Sequence, residues 1–172
     1  MTDPSPPVAD PSFRLAAARA AFAALQPRVT AGEPWALATA FGTEPEASWG
    51  PREVLAHTAE MLPFWLGEFE RIVEAGRGAG DGLPFGRGAG DALRIGILVR
   101  DRTLPLRELF DRIDAGIARW ERRLAAGADG EGGAVGRHSR LGELTADEVR
   151  DRFVIVHLEE HAAQLTEILA RA

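Results

Sequence analysis

The stretch from Phe153 to Ile168 limits the possible folds more than any other part of the chain. Val154, Leu158, Leu165 and Ile168 recur there at helical spacing, which predicts an amphipathic helix with one apolar face. His157 and His161 lie on or beside that face, one helical turn apart and separated by about 6 Å of rise. Such a helix must bury its stripe against other elements, and here it carries two imidazoles inward with it. Buried ring nitrogens need partners. A divalent cation supplies one to each ring at once, and hydrogen bonds from neighbouring groups are the plain alternative. This helix by itself leaves both readings open.

The chain before it repeats the helical pattern. Asp10 and Pro11 read as an N-cap followed by proline at the first helical position. Leu15, Ala18, Phe22, Leu25 and Val29 then give a first helix that ends or kinks at Pro27. A connection from Thr30 to Ser48 leads to Gly50, Pro51 and Glu53, the signature of a second helix running to about Glu74. Its wide apolar stripe includes His57, so a third histidine is also expected to point inward. Gly76 to Asp91 contains Gly-Arg-Gly-Ala-Gly-Asp twice and reads as a flexible loop, with no lysine and hydroxyl pair to make it a phosphate cradle. A short apolar piece, Leu93 to Val99, precedes a third helix at Pro105 to Ala126, and Asp129 to Gly133 reads as a turn. Thr145 and Glu148 form a capping box that opens the last helix. With no convincing strand, the expected fold is all-α, most simply a four-helix bundle with a long glycine-rich loop between the second and third helices.

Composition removes several classes of function. The 172 residues suit one domain, expected at 10–172 behind a disordered 1–9. A net charge of −6, with arginine interleaved among acids, argues against nucleic-acid binding. No cysteine is present, which excludes disulfides, thiolate ligands and a cysteine nucleophile. The polar, proline-rich stretch from Met1 to Pro11 and the lack of a long apolar run lead us to expect a cytoplasmic protein with no membrane contact.

The run Trp-Gly-Pro-Arg-Glu-Val-Leu-Ala-His from Trp49 to His57 resembles the opening of the second helix in the DinB-like superfamily. That superfamily includes YfiT-type proteins, bacillithiol and mycothiol S-transferases and thiol-dependent maleylpyruvate isomerases. His157 and His161 resemble its closing histidine pair, and Leu141 to Thr145 resembles its Gly-x-Leu-Thr approach to the last helix. The glycine-rich insertion departs from the common pattern. The resemblance implies a four-helix fold, frequent dimerisation and a divalent metal on His57, His157 and His161. His138, just before the Gly-x-Leu-Thr stretch, is read as an exposed loop histidine.

Three imidazoles suit Zn or Ni, with Fe also possible, and leave a position for water or substrate. The expected function is a metal-dependent transferase joining a low-molecular-weight thiol, which this chain would need as cosubstrate, to a small electrophile. A metal-dependent hydrolase and a non-catalytic, stress-associated metal-binding protein are the alternatives. Glu53, Glu60, Glu160 and Gln164 lie near the three histidines in sequence and are read first as solvated helix positions.

Overall fold

A computed structural model describes residues 10–39, 48–78 and 82–171. The expected disorder of residues 1–9 lies outside the described residues, as does the middle of the connection from Thr30 to Ser48. Helix α1 spans Pro11–Ala31 and buries Leu15, Ala18, Phe22, Leu25 and Val29. Its first turn is capped by Asp10, whose carboxylate accepts the Ser12 N–H at 2.7 Å. The helix continues through Pro27 instead of ending there. Pro27 and Ala23, whose carbonyl the proline leaves without an N–H, both face solvent, so water can satisfy that oxygen while Leu25 and Val29 hold the other face.

Helix α2, Pro51–Gly76, is the central element, and almost every residue of its first three turns is buried. Glu53 caps it by accepting the Gly50 N–H at 3.2 Å, and also takes the Ala38 N–H at 2.9 Å. Pro63 is exposed and the helix passes through it. The segment expected only as a short apolar piece is a full helix, α3, Ala92–Asp101. Asp91 caps it by accepting the Arg94 N–H at 2.9 Å. Its buried positions are Arg94, Leu98 and Asp101, two of them charged, which is why hydrophobic periodicity misses it. Helix α4, Leu106–Ala125, buries Leu106, Leu109, Phe110, Ile113, Ile117 and Trp120, in the phase expected.

Three short strands correct the expectation of a strand-free chain. Strand β1, Leu83–Phe85, pairs in parallel with β2, Val135–His138, which pairs antiparallel with β3, Gly142–Thr145. Part of the glycine-rich segment is therefore ordered as β1. These strands hold three or four residues each, too few for alternation to show in the sequence. The sheet lies close on α2: a Cβ at Gly136 would stand 2.7 Å from Phe85 and 2.8 Å from Ile72. Thr145 and Glu148 form the expected capping box of α5, Ala146–Arg150, which runs through a π-helical turn, Asp151–Ile155, into α6, Val156–Arg171.

The fold is thus mostly helical with a small sheet. Helix α1 packs on α4 and α6, and α2 packs on the same two helices, around one continuous apolar core. Among the described residues no helix is long and apolar enough to cross a membrane.

Candidate metal centre

His57 sits in the second turn of α2, and His157 and His161 project from the first turns of α6. One ring nitrogen from each comes within 4.8 Å of the other two. The Nε2 atoms of His57 and His157 are 3.0 Å apart. Neighbouring rings meet edge to face, with centroids 5.2, 5.0 and 4.4 Å apart. His57 and His161 are buried at 5% and 3% exposure, whereas the His157 side chain keeps 29%. The trio is therefore sealed on two sides and reachable past His157. The π-helical turn just before it buries Val154 and Ile155 and, with its one extra residue per turn, shifts the phase at which the histidine pair follows.

The outer nitrogens define the tautomers. His161 Nδ1 faces Gln164 Oε1 at 3.0 Å, and His157 Nδ1 faces Glu160 Oε2 at 3.4 Å. An acceptor at Nδ1 fixes the proton there and leaves the Nε2 lone pair directed at the centre, the pattern that supports metal-binding imidazoles. His57 differs, because its Nδ1 faces Arg94 Nη2 at 3.4 Å and a guanidinium can only donate. Its Nε2–H is then placed to donate to His157 Nε2, and holding a metal through Nε2 requires His57 to exchange tautomers.

Electrostatics favour neutral rings at His57 and His157. Burial pushes His57 well below the usual histidine range, and the two other imidazoles, Arg94 and Arg87 push the same way. Burial also lowers His157, with Glu160 opposing it in part. Neutral imidazole is the ligand form. Zn–N bonds of about 2.0–2.1 Å in a tetrahedral site would set ligand nitrogens about 3.3 Å apart, so the 3.0 Å pair and its buried third member fit a divalent ion.

A pocket of about 130 Å³ opens beside the trio, lined by Trp65, Phe153, Met61, Arg87 and Arg94 together with His57 and His157. Trp65 stacks on Phe153 with ring centroids 4.2 Å apart, and Phe153 stacks in turn on His138 at 5.5 Å. His138 is accordingly no exposed loop residue. It ends β2, is 9% exposed, accepts the Arg140 N–H at Nδ1, and backs the aromatic wall without joining the trio. Burial lowers its pKa, with Arg140 and Arg152 adding to the shift. Gly86, at φ +84°, makes room for it, since a Cβ there would lie 2.7 Å from the His138 ring.

Two of the nearby acids are likewise not on solvated faces. Glu53 is fully buried and ties Gly50, Ala38 and Arg102 together at the start of α2. Glu60 is buried and paired with Arg87. Glu160 is solvent-exposed at its carboxylate, as expected, yet touches His157, and Gln164 holds His161. Sequence reading overlooked Arg87, Arg94, Trp65 and Phe153 as site residues. The signal for the first two lay in the second Gly-Arg-Gly-Ala-Gly-Asp repeat, which supplies Arg87 and the Asp91 cap that orients Arg94.

No curated protein and no solved structure matches the chain. The family model of the DinB superfamily matches residues 12–165, which takes in most of every helix and all three histidines of the trio. The chain belongs to the DinB superfamily.

Proposed function

We infer that His57, His157 and His161 hold one divalent metal ion, Zn or Ni before Fe, and that the protein is a transferase joining a low-molecular-weight thiol to a small electrophile. The observation that carries this reading is the convergence of three imidazoles, with His57 and His157 held in the neutral form and lining a pocket open past His157. In this reading α1, α2, α4 and α6 are the four helices of the bundle that family resemblance implies, and α3 and the sheet are additions to it.

When bound, a divalent ion with an open position supplies a Lewis acid that lowers the pKa of a thiol or of water. The chain contributes the remainder. Gln164 and Glu160 orient the imidazoles of His161 and His157 through their Nδ1 atoms. Trp65, Phe153 and Met61 keep one side of the pocket apolar, where water competes poorly with an organic electrophile. The guanidinium of Arg94 favours a cosubstrate that carries negative charge, while Arg87, paired with Glu60, contributes less. A cosubstrate must also bring the sulfur, since the chain has no cysteine.

The test is thiol consumption by the metal-loaded protein against a panel of epoxides and alkylating agents, with products identified by mass. The expected result is thioether formation that is lost on chelation and in His161→Ala. Water adducts in place of thioethers would replace this reading with a hydrolase. Tight metal binding without turnover of any electrophile would replace it with a binding protein.

A further inference from the structure

Helices α2, α3 and α4 enclose a second cleft of about 650 Å³, against about 130 Å³ for the pocket at the histidines. That volume suits a small organic molecule. The walls are apolar, with Leu62, Phe64 and Leu66 from α2 and Ile97 from α3, and Leu93 stands at the edge with 70% of its surface exposed. Two acids line the cleft: Asp101, whose oxygens accept from Arg100 and Arg112, and Glu60, which is 7% exposed. Its Oε1 accepts from Arg87, while Oε2 is buried and accepts from no group among the described residues. A carboxylate oxygen removed from water without a donor is unfavourable, and a donor brought by a ligand would relieve it.

Charge narrows the class of ligand. Arg100, Arg112 and Arg119 flank the cleft with a single acid, Asp101, among them, which disfavours a cation. Inside, Arg87 already pairs with Glu60 Oε1, and the buried Oε2 calls for a donor, which an anionic group does not supply. An uncharged molecule with an apolar body and one O–H or N–H meets both conditions. We propose that this cleft binds such a molecule, with its donor on Glu60 Oε2. Arg87 lines both cavities and lies over the Phe64 ring at 3.7 Å, so it forms the wall between them. Binding in the cleft uses none of the histidines and stands independently of the metal reading.

The probe is N-phenyl-1-naphthylamine, an uncharged apolar fluorophore with a single N–H, titrated into metal-loaded and chelated protein. Saturable one-to-one binding is expected in both. Its N-methyl derivative, which lacks the donor, is expected to bind about tenfold more weakly, and Glu60→Met is expected to abolish the difference between the two dyes. Ala115→Trp, at an exposed α4 position lining the cleft, is expected to weaken the parent dye by at least about tenfold while helical circular dichroism is unchanged. No saturable binding to the wild-type protein, or unchanged binding to a folded Ala115→Trp protein, overturns the site. Equal affinity of the wild-type protein for the two dyes overturns the role of Glu60, and this comparison needs no variant to fold.

Discussion

The Nε2 atoms of His57 and His157 lie 3.0 Å apart although the residues are 100 positions apart in the chain. With each ring anchored on a different packed helix, the two nitrogens meet because α2 and α6 share the same core. Rigid helices place donor atoms more accurately than loops do, which suits a site that must present lone pairs to one point.

The first prediction is metal content. The purified protein should carry about one divalent ion per chain, removable by chelator. His161→Ala should lose tight binding and keep its helical circular dichroism, because the core of Leu158, Leu165 and their neighbours does not depend on this ring. Elemental analysis showing no metal, together with no uptake of Zn or Ni by the chelated protein, would contradict it.

Arg94 is expected to work against a metal ion at the trio. Its guanidinium is 3.4 Å from His57 Nδ1 and favours the tautomer with the proton on Nε2. Arg94→Gln removes a positive charge and offers Nδ1 an acceptor. Affinity for Zn should rise by up to about tenfold, measured by competition with a chromophoric chelator at pH 7.5. Weaker binding by a folded variant would show that Arg94 positions His57 instead of opposing the ion.

The legible parts of the molecule were those in which one physical signal dominates. The histidine trio could be read because His57, His157 and His161 fall in phase with long apolar stripes, and the caps at Asp10, Gly50 and Thr145 followed from local hydrogen-bonding chemistry. Helix α3 was hidden because Arg94 and Asp101 occupy positions where periodicity looks for apolar residues. His138 was misread because β1 and β2 are stabilised by pairing across about fifty residues and by stacking on Phe153, neither of which has a local pattern. Arg87 and Arg94 reach the pocket only through the path of the chain after β1, which composition described as a loop.

A further prediction concerns the contact between α4 and α2. Trp120 is fully buried and donates its indole N–H to the Leu62 carbonyl at 3.1 Å. Trp120→Phe removes that donor and leaves unfilled volume beside Phe69, whose ring centroid is 5.3 Å away. The expected loss is about 2 kcal/mol, read as a lower urea midpoint at unchanged slope. A loss under about 0.5 kcal/mol would mean that the site collapses without cost.

The last prediction is the pH dependence of stability, with and without metal. In the folded protein His57 and His157 titrate below the ordinary histidine value of 6.5, chiefly because they are buried. The unfolded chain then binds more protons than the folded one below pH 6.5, so stability of the chelated protein should be flat above that pH. It should fall as the pH drops below it, levelling off only where the folded-state rings also protonate. With a metal on the trio, protons and metal would compete for the same nitrogens, and the lowered folded-state values of His57 and His157 would delay that competition. Metal-dependent stabilisation, about 2.7 kcal/mol at a hundredfold excess over Kd, should therefore persist from pH 8 to about 6.5 and decline in more acid solution. A His57→Ala, His161→Ala double variant should show no metal-dependent increment and a shallower acid loss. Thermal unfolding across roughly pH 5 to 8, with and without saturating Zn, measures both. An increment equally large in the double variant would place the ion on other groups, and one already half lost by about pH 7.5 would mean that the histidines are not held below their ordinary range.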